Sequence, residues 1–280
     1  MRQGTIGKDS SQMQWYLTSS LGRWADKDLP SAMRWFDEQM AAGTFDSKAL
    51  NGKSRSLVRF ASVIISQLTK NDPQAAIERA LQISPEERDN LFQSVFQGSA
   101  GTFPESYDGN FAKVVHATLG KEESGKAFAS YISMMERRDK DYGRIDQFIA
   151  NANATPEDKA AIVQQVINSG THSGMSESFD RESFDSARTW AARHSPDSVD
   201  RATGEALANT LWRNQSFEKI SAVALDYQQS TGSDDVLAAF LESSSVRYSK
   251  NREPAKSLIS RIKDPAVRER IQNLREYKNP

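Results

Sequence analysis

Apolar residues along this chain recur in doublets spaced about four apart. Leu57, Val58, Ala61, Ile64, Ile65 and Leu68 form one such series, Ala76, Ile77, Ala80 and Leu81 a second, and Ile162, Val163, Val166 and Ile167 a third. That is the helical period, with one apolar stripe per helix and polar residues on the opposite side. No stretch of useful length alternates strictly between apolar and polar residues, so the pattern predicts helices and no strand. Proline fits the first turn of a helix, and a preceding Asp, Ser or Thr can accept from the free backbone donors there. Asp72-Pro73, Ser84-Pro85, Thr155-Pro156, Ser195-Pro196 and Asp264-Pro265 are five such signals.

Placed in order, these signals predict seven helical hairpins. Their first helices begin near Pro30, Pro73, Asn110, Asp141, Asp180, Ser216 and Arg252, at intervals of 31 to 43 residues. This is the repeat length of a two-helix solenoid. A helix from about Ser11 to Ala25 precedes them without a partner. The expected fold is therefore an all-α superhelix (solenoid) of about seven hairpins plus one unpaired N-terminal helix. Residues 1–280 would form a single elongated domain, with a sub-division near 98–109 or 168–179.

Composition narrows the chemistry more than the fold. Of the 280 residues, 38% are hydrophobic and 26% charged, a polar average that suits a thin stack with much surface per residue. Without cysteine the chain makes no disulfide, thiolate metal site or cysteine nucleophile of its own. No apolar run approaches the roughly 20 residues that cross a bilayer, and the opening residues lack a signal-peptide core. A soluble protein without membrane insertion is expected, cytoplasmic or exported after removal of a leader. The net charge of −1 exerts no general pull on nucleic acid. Its distribution is uneven, however. From Val246 to Pro280 ten Lys or Arg face four acids, leaving +6 at this end and −7 elsewhere. Arg252, Arg261 and Arg268 are the candidates there for docking an acidic partner, although a solvated charged face is the usual explanation of such a run.

The repeat edges share a phrase. Trp24-Ala25-Asp26-Lys27-Asp28-Leu29-Pro30-Ser31-Ala32-Met33-Arg34-Trp35 and Leu68-Thr69-Lys70-Asn71-Asp72-Pro73-Gln74-Ala75-Ala76 resemble the W-A-x-x-D-P-x-x-A-x-x-W edge of uncharacterised bacterial helical-repeat proteins of HEAT-like or TPR-like architecture. The match covers the first third of the chain. Leu29 is inserted between Asp28 and Pro30, and Trp190-Ala191-Ala192-Arg193-His194-Ser195-Pro196 carries Ser in place of Asp. The resemblance implies an α-solenoid and, by analogy of fold, protein interaction; it implies no catalytic residue, cofactor or metal.

Several local patterns approach known sites. Gly120-Lys121-Glu122-Glu123-Ser124-Gly125-Lys126-Ala127 nearly spells a phosphate loop, but a helical segment precedes it and Ala127 stands where magnesium needs a hydroxyl. It is read as a helix end at Gly120 and the turn into the next helix. His116, His172 and His194 lack the spacing that places two ligands on one helix face. Asp139-Lys140-Asp141-Tyr142-Gly143 opens like a calcium loop, yet Ala150 occupies the position of the bidentate acid. Two connections, Gly98 to Gly109 and Asn168 to Phe179, are longer than hairpin turns usually are. The first offers Phe103 and Tyr107 as candidate partner contacts and Glu105 and Asp108 as acids. The five tryptophans, Trp15, Trp24, Trp35, Trp190 and Trp212, are expected as wedges in the core.

Two functions of different class follow. One is a non-catalytic scaffold for an unidentified protein or peptide. The other is an α/α-toroid enzyme acting on a glycan or similar polymer, with carboxylates such as Glu105 and Asp108 flanking the scissile bond.

Overall fold

The computed structural model describes residues 9–45, 55–95, 105–136, 142–171, 178–213, 215–248 and 250–278. Among the described residues the chain is helical, without a strand. It divides into two compact units, Met1–Met135 with Gly143–Asp158, and Glu136–Tyr142 with Lys159–Pro280.

The first unit contains α1 (Asp9–Lys27), α2 (Leu29–Ala41), α3 (Arg55–Asn71), α4 (Pro73–Leu81), α5 (Pro85–Val95), α6 (Glu105–Thr118), and all of α7 (Lys121–Glu136) and α8 (Tyr142–Asn151) except Glu136 and Tyr142, which belong to the second. The second contains most of α9 (Pro156–Gly170), then α10 (Arg181–His194), α11 (Pro196–Thr210), α12 (Phe217–Thr231), α13 (Asp235–Glu242), α14 (Ser244–Arg247), α15 (Arg252–Ile259), α16 (Pro265–Gln272) and α17 (Arg275–Lys278). A 3₁₀ turn, Leu211–Arg213, follows α11.

All five prolines of the capping signals open a helix: α4, α5, α9, α11 and α16. The caps differ in detail. Asp72 accepts from the Ala75 amide at 3.0 Å, and Asp264 from those of Ala266 and Val267 at 2.8 and 3.4 Å. At α5 the Ser84 hydroxyl instead donates to Glu87 (3.0 Å), and Ser195 makes no capping bond from its side chain. Asp28 caps α2 through the Ser31 amide at 3.1 Å, one residue before Leu29 and two before Pro30. The caps at Asp72 and Asp264 each contribute about 1 kcal/mol. α6 begins at Glu105 rather than near Asn110. The turn chemistry of Pro104 and Gly109 suggests a loop, but Tyr107 and Asp108 find interior partners that extend the helix backward.

Helices pack on close neighbours and on helices one hairpin away. In the first unit α1 lies against α2 and α3, α3 against α4, α5 and α6, and α4 against α6. In the second, α11 lies against α10, α12 and α13, and α13 against α12, α14 and α16. The core of the first unit is a ladder of aromatic rings. Phe92 meets Phe111 at 6.1 Å, Phe111 meets Tyr131 at 4.8 Å, and Tyr131 meets Phe148 at 4.9 Å, so α5, α6, α7 and α8 are joined through side chains. All four rings are essentially inaccessible. Truncating a ring of this kind costs about 3–5 kcal/mol.

The second unit closes its core with small residues. Gly204 of α11 sits so near α13 that a Cβ there would lie 2.1 Å from the Val236 carbonyl oxygen and 3.0 Å from Ala239 Cβ. Ala239 lies at this crossing, and Ala208 of α11 and Ala238 of α13 are buried as well. Leu207, Leu237 and Phe240 on the same two helices are fully buried.

Candidate functional site

The two long connections were the first candidates. Phe103 lies outside the described residues. Tyr107 is corrected from a candidate contact to a core residue: it is 1% exposed on α6, packed 5.9 Å from Phe111 and 6.1 Å from Tyr131. Burial pushes its phenol well above the ordinary range, against the hydroxyls of Ser66 and Thr69.

Asp108 is likewise interior, with no exposed surface. Arg144 of α8 grips it with both arms of its guanidinium, at 2.5 Å on Oδ2 and 2.8 Å on Oδ1. Tyr131 donates to Oδ1 at 2.8 Å and Asn151 to Oδ2 at 3.4 Å. Burial first, then the Asp108 charge, raises the Tyr131 phenol far above its usual value, so it remains a donor. Asp108 therefore knits three helices together and does not flank a bond beside Glu105. A charge without solvent is tolerable only when paired in this manner.

The remaining patterns also resolve into structure. Gly125 and Lys126 lie inside α7, where Lys126 pairs with Glu122 at 2.7 Å across one helical turn. The end of the calcium-like sequence, Tyr142-Gly143, and Ala150 belong to α8, while Asp139 and Asp141 lie outside the described residues. His116 reaches Asp158 Oδ2 at 2.9 Å. That oxygen also accepts the Thr155 amide and hydroxyl at 2.9 and 2.7 Å, closing the cap of α9. His194 packs 4.4 Å from Trp190, and His172 lies outside the described residues. Among the described residues no group of three or more His, Asp or Glu is placed to hold a metal ion, and no helix is long and apolar enough to cross a membrane.

Of the tryptophans, Trp190 is the one fully enclosed, at 1% exposed, stacked on Tyr142 at 5.7 Å. Trp15, Trp24 and Trp212 are exposed and Trp35 is half-buried, tilted 6.2 Å from Trp24. The expectation of core wedges is thus corrected for the exposed rings. Their helices leave that side uncovered by the described residues.

The basic C-terminal end sorts into two groups. Arg268 is a fastener: its guanidinium donates to the Ile262 carbonyl at 2.9 and 2.6 Å and to the Lys263 carbonyl at 3.3 Å, holding the turn between α15 and α16. Asp234 secures the same turn by accepting from the Lys263 and Asp264 amides at 2.8 and 2.6 Å. Arg252 is half-buried and lies 3.2 Å from Glu253. Arg261 is exposed, and its carbonyl accepts from Gln228 at 3.0 Å. Lys250, Lys263 and Arg275 are exposed as well. Arg201, which sequence reasoning did not single out, and Arg270, counted there only as part of the basic end, pair with the Glu242 carboxylate, and Arg247 of the same basic end donates to the Glu242 carbonyl. Only the Arg201/Glu205 pair, spaced one helical turn apart, left a trace in the sequence.

A comparison with family models, curated proteins and solved structures found no match to this chain.

Proposed function

We propose that the chain is a non-catalytic α-solenoid of helical hairpins that serves as a scaffold for a protein or peptide partner. The observation that carries this reading is the spacing of the bonds between helices. Asn110 donates to the Lys70 carbonyl, Gln164 to that of Ala202, Ser245 to that of Ala208 and Tyr277 to that of Leu241, at separations of 40, 38, 37 and 36 residues. One hairpin length recurs in both units, as it does when each repeat leans on the next. Packing of α3 on both α1 and α5, and of α13 on both α11 and α16, points the same way. Stacked repeats offer side chains at regular intervals along a surface, the arrangement by which solenoids hold extended partners.

The test is affinity capture from the native host with the full chain, beside an Arg261→Glu variant. Arg261 is the suitable site because it is exposed, whereas replacing Arg268 would free the turn it fastens. Recovery of one specific protein, reduced by the variant or by excess partner peptide, supports the scaffold. Turnover of a polymer by the purified chain would contradict it.

A further inference from the structure

The two most open aromatic rings among the described residues stand on adjoining segments of the second unit. Trp212, in the 3₁₀ turn after α11, is 66% exposed, and Tyr248, just past α14, is 68% exposed. That turn packs against α14. One hydrogen bond ties the two segments at their roots: the buried Ser245 hydroxyl donates to the Ala208 carbonyl at 2.7 Å. Trp212 follows four residues after Ala208, and Tyr248 three after Ser245. A single exposed ring needs no explanation, but two raised on neighbouring segments make a patch.

The charge around these rings is unbalanced. Arg213 follows Trp212, and Lys250 lies two residues beyond Tyr248; both are exposed, and neither has an ion pair or hydrogen bond among the described residues. Arg247 sets its guanidinium 5.1 Å from the Tyr248 ring centre and donates to the Glu242 carbonyl. From Leu211 to Phe217 and from Ser243 to Arg252 the sequence holds Arg213, Arg247, Lys250 and Arg252 and no acid. The acids that flank these segments along the chain are already engaged. Glu205 is held by Arg201 at 3.0 Å, Glu242 by Arg201 and Arg270 at 3.3 and 3.2 Å, and Glu253 by Arg252 and Lys256 at 3.2 and 3.1 Å. Glu218 accepts from the Ser216 hydroxyl at 3.1 Å and is followed by Lys219. Arg213 and Lys250 are left without a counter-charge.

We propose that Trp212 and Tyr248, with Arg213 and Lys250, form a docking patch for an acidic peptide segment of the partner that carries an apolar side chain among its acids. The patch rests on the scaffold function proposed above and names the chemistry of what that scaffold holds. Carboxylates of the peptide meet the two unmatched cations, and its apolar side chain covers the rings. Trp, Tyr and Arg are the residue types in which binding energy concentrates. The occupant is acidic because the patch offers cations and no acid of its own. It is a peptide rather than a nucleic-acid strand because the basic track ends at the patch. Further out, Arg201, Arg252, Lys256 and Arg270 are each held by a carboxylate. A strand with a charge at every phosphate would run onto those acids, whereas a peptide can carry its charges only where the free cations are.

The experiment measures fluorescence anisotropy of a short labelled peptide of Glu and Ser with one central Phe, titrated with the full chain. The same peptide with Gln for Glu, the same peptide with Ser for Phe, and a single-stranded oligonucleotide serve as comparisons. The patch variants are Trp212→Ala and the double variant Arg213→Gln with Lys250→Gln. Trp15→Ala and Arg193→Gln, exposed residues of α1 and α10, are the controls. The patch predicts binding of the Glu peptide, none of the Gln peptide, a loss of about tenfold in each patch variant and in the peptide without Phe, and no change in either control. Circular dichroism checks the fold; Trp212, Arg213 and Lys250 make no bond among the described residues, so helix content should hold, and if one patch variant loses helix the other decides. No binding of the Glu peptide, equal binding by the patch variants, an equal loss in a control, or tighter binding of the oligonucleotide overturns the patch. A host partner captured equally by wild type and double variant would leave the scaffold standing and discard this site.

Discussion

Replacing Gly204 with alanine probes how closely α11 and α13 approach. The new Cβ would lie 2.1 Å from the Val236 carbonyl oxygen, 2.9 Å from the Phe240 nitrogen and 3.0 Å from Ala239 Cβ. Two of those neighbours are backbone atoms, which cannot swing aside as a flexible side chain does. The helices must therefore separate by about 1 Å, loosening contacts along a crossing whose packing is close to that of a crystal. Overpacking costs about 1–3 kcal/mol, and occasionally more; the rigidity of this contact places it at or above the upper end. Alanine regains about 1 kcal/mol of helix propensity. The net expectation is a loss of about 2 kcal/mol, or a fall of roughly 4–8 °C in melting temperature for a chain of this class. Gly22→Ala is the internal control, since its Cβ would meet only Val63 Cγ1, at an ordinary 3.8 Å. It should be neutral or stabilising by up to about 1 kcal/mol. Urea denaturation followed by circular dichroism measures both. A Gly204→Ala protein as stable as wild type would refute the close approach.

Other consequences can be measured on the same footing. Asp108→Asn should destabilise the first unit by about 3–5 kcal/mol in urea, because it removes the buried carboxylate that Arg144 grips with both arms; a loss below about 1 kcal/mol would mean the site is hydrated. Asp28, fully exposed, has its carboxyl held below its ordinary value by the Ser31 side chain and amide. Its capping contribution is thus present above the unfolded value of about 3.9 and disappears as pH falls through the lower folded value. An NMR titration should show the Ser31 amide moving with a midpoint below that of a model aspartate, and an equal midpoint would deny the cap. Gly232 ends α12 at φ +75°, so Gly232→Ala should cost about 1 kcal/mol despite open space around it; a stabilised variant would show that this turn adopts another conformation.

The helices were legible because their signals are local. A proline after Asp, Ser or Thr fixes φ and supplies or permits a cap within four residues, and the apolar doublets at Ile64, Ile65 and Ile162, Val163 mark buried faces whatever they pack against. What the sequence concealed depends on partners far along the chain. Tyr107 and Asp108 look like loop residues until Tyr131 and Arg144, 23 and 36 positions beyond Asp108, enclose them. Arg268 and Arg261 read alike as basic residues, yet one binds the carbonyls of a turn and the other faces solvent. Glu242 becomes a hub only when α11, α13 and α16 meet. Gly204 has no turn to mark it; the reason for a glycine there is the helix that crosses it.

If hairpins lean chiefly on their neighbours, the second unit should not open as one body. Native-state hydrogen exchange tests this most directly. Amides of α11 and α13, each packed on several helices, should exchange with the highest opening free energy, and those of α15 and α16 at a distinctly lower one, in a gradient along the chain. A single opening free energy shared by all protected amides from α11 to α16 would contradict the repeat architecture.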